Sequence, residues 1–205
     1  VAGLWERLLD PFRDPDPDGR AFDERYGTET HWYDLLNYEP TPPPVLHGAL
    51  DAVPVPLQDL TFVDLGSGKG RVVLLASQRP FRAVVGVEHR AALHVVALRN
   101  AAAFGHHARA PVHLLHGDAA EQPFPDGPLL LWMFNPFAAD VVASALGHLS
   151  RTSGHWLVYV VPRELPVVKA AGFVTVTAGG PDDCRWELLH RPAGPPAGRG
   201  TQQSA

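Results

Sequence analysis

Phe62-Val63-Asp64-Leu65-Gly66-Ser67-Gly68-Lys69-Gly70-Arg71 is the stretch from which the rest of the chain can be read. The apolar run 60–63 has the character of a buried strand. It stops at Asp64, passes three glycines spaced two apart, and enters the helix-like run Val72-Val73-Leu74-Leu75-Ala76. Strand, glycine turn and helix bring backbone up to a nucleotide-like ligand without Cβ atoms in the way. The turn is not a phosphate-binding Walker loop, because no hydroxyl follows Lys69 and the glycine spacing is too short. It also misses the dinucleotide fingerprint, since its third glycine falls one residue early. An acid at the end of the first strand repels a pyrophosphate and pairs with an amino group. The ligand therefore carries a cationic end, which points away from NAD.

Three further stretches end strands in chemistry-bearing residues. Ala83-Val84-Val85-Gly86-Val87 leads to Glu88, about twenty residues after the turn, where a carboxylate can accept both hydroxyls of a ribose. His113-Leu114-Leu115-His116-Gly117-Asp118-Ala119 presents Asp118 at the same sheet edge, either to an exocyclic amine of an adenine-like ring or as a cap on its own turn. Leu129 to Phe134 is a continuous apolar run, expected to be central and buried on both faces. It delivers Asn135-Pro136-Phe137 to the rim where open α/β sheets bind ligands.

Alternating signals place strands at 61–65, 83–87, 112–116, 129–134, 156–161, 173–177 and 185–189, with helices at 71–78, 91–104, 138–149 and 165–171. Helical segments between the first five strands call for a doubly wound, mostly parallel α/β sheet. The last two strands, joined through Gly179-Gly180-Pro181-Asp182, form an antiparallel hairpin. Residues 1–58 read as an N-terminal helical and loop segment over the site, 59–191 as the ligand-binding domain, and 192–205 as a disordered tail. Within the first segment Thr41 is the expected N-cap of a helix beginning at Pro42 or Pro43, the alternative being a proline-rich linker.

These residues resemble the class I S-adenosyl-L-methionine (SAM)-dependent methyltransferases, and more narrowly a little-characterised bacterial branch. The resemblance rests on Val63 to Gly70, Glu88, Gly117-Asp118-Ala119 and Asn135-Pro136-Phe137. For the branch it adds Phe22-Asp23-Glu24-Arg25-Tyr26-Gly27 and Tyr38-Glu39-Pro40-Thr41-Pro42. It implies a Rossmann-like seven-stranded sheet of order 3-2-1-4-5-7-6, strand 7 antiparallel, with helices on both faces. It implies that Asp64, Gly66, Ser67, Gly68 and Gly70 hold the methionine end of SAM. Glu88 and His89 would lie at the ribose, Asp118 and Ala119 at the adenine, and Thr41 and Asn135 beside the cofactor. Asn135, Pro136, Phe137 and Tyr38 would meet the acceptor. Asn-Pro-Phe is similar to the Asn-Pro-Pro-aromatic motif of N-methyltransferases, one proline short, so nitrogen is favoured over oxygen. Tyr38 and Glu39 are the candidate bases should the acceptor arrive protonated. A catalytically silent SAM-binding partner or sensor is the alternative, and a nucleotide-dependent oxidoreductase is disfavoured by Asp64 and the glycine spacing.

Composition sets the remaining bounds. With 205 residues, 45% of them hydrophobic, the chain can build one sizeable core. Its net charge of -5 makes nucleic acid an unlikely partner while allowing a local basic patch, and favours a small-molecule or protein acceptor. The single cysteine, Cys184, excludes an internal disulfide and is expected to pack as a small hydrophobe. No run approaches a membrane span and no basic-then-apolar leader opens the chain, so the expected compartment is the cytoplasm. Abundant Ala, Arg, Pro and Gly, with no isoleucine, hint at a GC-rich bacterial genome. No metal site is expected: His113 and His116 fall on opposite strand faces, and His106-His107 lack a partner at ligand spacing. Lys69 is expected to point to solvent or to a helix partner.

Overall fold

In the computed structural model, which describes residues 20–30, 40–134 and 137–194, the sheet forms where the sequence is most apolar. Its strands are β1 (Thr61–Leu65), β2 (Ala83–Glu88), β3 (Val112–His116), β4 (Leu129–Phe134), β5 (His155–Val160), β6 (Val174–Gly179) and β7 (Trp186–Arg191). They lie in the order β3-β2-β1-β4-β5-β7-β6. β1 to β5 pair in parallel, and β7 runs antiparallel to both β5 and β6. This is the Rossmann-like strand order and pairing that the resemblance implies.

Period-two alternation divides the central strands between two cores. Phe62 of β1 and Leu130 and Trp132 of β4 face one side; Val63, Leu65, Leu129, Leu131 and Met133 face the other. Each such side chain, taken fully from water, contributes about 1.5–3 kcal/mol. The helices that cover these faces are α1 (Arg20–Tyr26), α2 (Pro43–Asp51), α3 (Arg71–Ser77), α4 (Ala91–Phe104), α5 (Ala139–Gly147) and α6 (Leu165–Ala170). Phe22 of α1, the Val45, Leu46, Ala49 and Leu50 stripe of α2, and α3 cover the Phe62 face. Val142, Ala145 and Leu146 of α5 and Val168 of α6 cover the other.

Several boundaries differ from the sequence reading, each for a local reason. No helix joins β3 to β4 among the described residues; the chain crosses by turns held when the Asp118 carbonyl accepts from the amides of Glu121 and Gln122. Thr41 does not cap α2. Pro42 is the N-cap and Pro43 the first helical residue, with Val45 and Leu46 donating to the Pro42 carbonyl. The strands of the hairpin extend to Gly179 and Arg191, with a bulge between Thr175 and Thr177. Lys69 does not reach solvent: it is 2% exposed. Cys184 packs in the core ahead of β7.

The sheet order reverses between β1 and β4. A crevice opens outside the strand ends at such a switch point, and ligands bind there in open α/β sheets. The glycine turn follows β1 at that point.

Candidate functional site

The turn works because its three glycines take conformations that side chains resist. Gly66, Gly68 and Gly70 have φ of 82°, 55° and 88°. Gly66 and Ser67 both donate to the Val87 carbonyl at 2.9 Å, Gly70 donates to the Ser67 carbonyl at 2.8 Å, and Gly68 donates to Glu88 Oε2 at 2.8 Å. Four amides are thus already engaged within the protein. The loop offers no open cluster of N–H groups to a pyrophosphate, which agrees with the departures read in its spacing.

What it does offer is negative charge. Asp64 is 4% exposed, and among the described residues its carboxylate has no hydrogen-bond or ion-pair partner. Burial, and after it the neighbouring Glu88 carboxylate, push its pKa well above the ordinary carboxylate value. A buried acid in this state is completed by a cationic donor. Glu88, also 4% exposed, accepts from Gly68 through Oε2 and from the Arg90 amide through Oε1, each at 2.8 Å. A carboxylate has about four acceptor positions, so two remain.

The rim beside Glu88 carries three imidazoles. His89 Nδ1 lies 3.5 Å from Glu88 Oε1. His116 donates through Nε2 to the His89 carbonyl at 3.0 Å and stacks on His94 with ring centroids 5.5 Å apart. Asp118 is exposed at the end of β3, where Oδ1 accepts from the Ala120 amide at 2.8 Å. It therefore caps its own turn through Oδ1, and among the described residues Oδ2 has no partner. Ala119 is buried in the core below it. Phe137 is half-buried against the same core. Thr41 is buried at the entry to α2. Tyr38, Glu39, Asn135 and Pro136 lie outside the described residues. Among the described residues no cluster of three metal-ligating side chains occurs.

The sequence reading missed the layer behind the turn. Asn100 donates through Nδ2 to the carbonyls of Lys69 (2.9 Å) and Glu29 (3.2 Å), and its Oδ1 accepts from the Glu29 amide at 2.7 Å. Buried Asp23 accepts from the Thr28 hydroxyl and from both the amide and hydroxyl of Thr30, at 2.6–2.8 Å. Thr30 in turn accepts from Arg71 Nε at 3.3 Å, and the Arg71 guanidinium lies 5.3 Å from the Phe22 ring centre. Burial lowers the Lys69 pKa, opposed by the charges of Glu29 and Asp23. This network fixes residues 20–30 against the glycine turn. Its available signal was an asparagine in the buried stripe Leu93, Ala97, Asn100, Phe104 of α4.

Gly86 is a second residue the reading passed over. A Cβ there would meet Val73 Cγ2 at 2.7 Å and Ser67 Oγ at 2.9 Å, so its bareness lets α3 and the turn sit down on β2. At the rim, Val161 follows β5 with φ 49°, a left-handed conformation disfavoured for a β-branched residue.

No protein-family model matches the chain, and no curated protein matches it by sequence. Solved structures do match in fold. An RNA methyltransferase from Salinibacter ruber, in complex with S-adenosyl-L-homocysteine, is 22% identical with a TM-score of 0.54, covering 77% of this chain and 96% of its own. A precorrin-6y C5,15-methyltransferase from Geobacter metallireducens GS-15 is 16% identical with a TM-score of 0.52, covering 82% and 95%. A ribosomal protein L11 methylase from Lactobacillus delbrueckii subsp. bulgaricus is 16% identical with a TM-score of 0.52, covering 72% and 77%. The chain has the fold of the class I SAM-dependent methyltransferases.

Proposed function

We propose that this chain binds SAM and transfers its methyl group to a nucleophile, nitrogen in preference to oxygen, on a small molecule or a protein side chain. The observation that carries the reading is Asp64, a buried carboxylate without a partner among the described residues at the sheet's switch point, with Glu88 beside it. Those residues fit the cofactor. Asp64 would take the amino group of its methionine end, and Gly66, Ser67, Gly68 and Gly70 let the backbone lie close. Glu88, flanked by His89, has two free acceptor positions for ribose hydroxyls, and Asp118 has a free oxygen for the adenine amine above Ala119. When bound, SAM supplies a methyl made electrophilic by its sulfonium, and leaves as S-adenosylhomocysteine.

The chain's task is then alignment and exclusion of water, worth several kcal/mol through positioning. No nucleophilic residue is required. Asn135 follows β4 directly in sequence, and its side-chain carbonyl is suited to accept a hydrogen bond from an acceptor nitrogen. Pro136 stiffens that position and Phe137 supplies an apolar wall. Tyr38 and Glu39 are the groups available to take a proton, and Thr41 adjoins them in sequence.

Calorimetry with S-adenosylhomocysteine and NAD, followed by transfer of labelled methyl to candidate amines and proteins, tests this. Binding of S-adenosylhomocysteine with label transfer supports the reading. Binding without transfer to any acceptor class leaves a silent SAM-binding module, and tighter binding of NAD overturns both.

A further inference from the structure

At the far end of α3 from the glycine turn lies an open groove of about 890 Å³ between α1, the start of α2, the end of α3 and the segment leading into β3. Arg25, Arg79 and Arg109, from three separate parts of the chain, line it together with His47 and His107. Among the described residues that line it there is no carboxylate. That distribution is unexpected in a protein whose net charge is -5. Asp51 pairs with Arg79 from outside the lining. The Arg25 guanidinium lies over the Tyr26 ring at 5.3 Å, and Tyr26 meets His107 edge-on at 5.0 Å. Phe22 and Leu75 add apolar surface to the lining.

We propose that this groove is a second binding site, one that takes phosphate groups. Guanidiniums match phosphate oxygens with two parallel N–H donors, and several around one groove raise the local positive potential an anion meets. His47 titrates below its ordinary value, through burial first and then through the Arg79 charge, with Asp51 opposing. α3 spans about 10 Å, at 1.5 Å per residue, so a phosphate held here sits roughly that far from the glycine turn. The site is thus separate from the cofactor crevice and near enough to anchor a long ligand that reaches it. Two sources share this chemistry, a phosphodiester chain and a free phosphate ester.

The test uses the full chain, a labelled single-stranded oligonucleotide and, separately, a mononucleotide with inorganic phosphate as competitor. The expected result is binding that weakens with salt and falls at least tenfold in Arg25→Glu/Arg109→Glu. Arg151→Glu, on a different groove, is the matched control and should change nothing. The neutral pair Arg25→Gln/Arg109→Gln should lose binding by a smaller factor, and its salt slope should fall by about 0.7 for each phosphate no longer engaged. Tighter binding of the oligonucleotide identifies a phosphodiester chain as the source, and equal binding of the mononucleotide a free ester. No binding of either, unchanged affinity in the double variants, or an equal loss in Arg151→Glu would overturn the site. S-adenosylhomocysteine affinity, measured on the same variants, should not move, which separates failure here from failure of the proposed methyl transfer.

Discussion

Gly68 donates its backbone N–H to Glu88 Oε2 at 2.8 Å, so the end of β2 and the glycine turn after β1 are locked to each other before any ligand arrives. One carboxylate anchors the turn and, in the proposed function, also receives the ribose. Glu88→Ala should weaken S-adenosylhomocysteine binding by about 1–3 kcal/mol, or about 5- to 150-fold, the range for charged hydrogen bonds. It should also lower the melting temperature, because the Gly68 and Arg90 amides lose their acceptor. A lower melting temperature with unchanged affinity would leave Glu88 as an anchor alone.

Asp64 sets a pH dependence whose sign is fixed by its environment. Its folded pKa lies well above 3.8, because of burial and then Glu88. In the unfolded chain the group ionises near pH 4. Between those values the folded state holds the extra proton, so this group's contribution to stability declines as pH rises from about 4 through the folded pKa. Asp64→Asn removes the decline. Thermal melts should show the variant gaining on the parent as pH is raised from about 4.5 to about 7.5, by about 2–4 °C for each kcal/mol relieved. The same variant should bind S-adenosylhomocysteine more weakly at the upper end of that range. A gap independent of pH would show that Asp64 is not the strained acid.

Elements whose period is simple were legible in the sequence. β1, β3 and β4 have the bounds read from the sequence, β4 ending where its apolar run ends, and α4 carries its buried stripe to Phe104, after which Gly105, with φ of 39°, closes it. The acids at the rim were legible because each lies at or within two residues of the end of a strand. The polar layer behind the turn was not, since Asn100 reaches Glu29 and Lys69, and Arg71 reaches Thr30, only through tertiary contact across 31 to 71 residues of chain. Of the two places expected for Lys69, solvent is excluded, because the side chain is buried and feels the charges of Glu29 and of Asp23 on α1.

That covering can be tested at Asn100, which ties the Lys69 carbonyl to both backbone groups of Glu29. Asn100→Ala strands buried groups and should destabilise the protein by about 1–3 kcal/mol. It should also weaken S-adenosylhomocysteine binding, because the turn loses its support at Lys69, although Asn100 itself has no place in the crevice. Hydrogen exchange provides the decisive readout: the amides of residues 66–70 should exchange faster in the variant, and those of β4 should not. Uniform acceleration across the sheet would make the effect one of global stability.

Gly86 offers a purely steric test of how tightly the turn is seated. An added methyl would lie 2.7 Å from Val73 Cγ2, 2.9 Å from Ser67 Oγ and 3.0 Å from Leu114 Cδ2, all closer than van der Waals contact. Gly86→Ala should therefore destabilise by about 1–3 kcal/mol, as overpacking in a filled core does. Since Ser67 belongs to the turn, the displacement should reach the ligand crevice and weaken S-adenosylhomocysteine binding as well. Gly147→Ala is the control, because a Cβ there meets nothing within 4 Å. In that helix the change should leave the melting temperature level or raise it slightly, through the smaller entropy of the unfolded chain. If Gly86→Ala melts with the parent and binds as well, α3 and the turn can move outward without penalty, and the seating described for Ser67 over β2 is wrong.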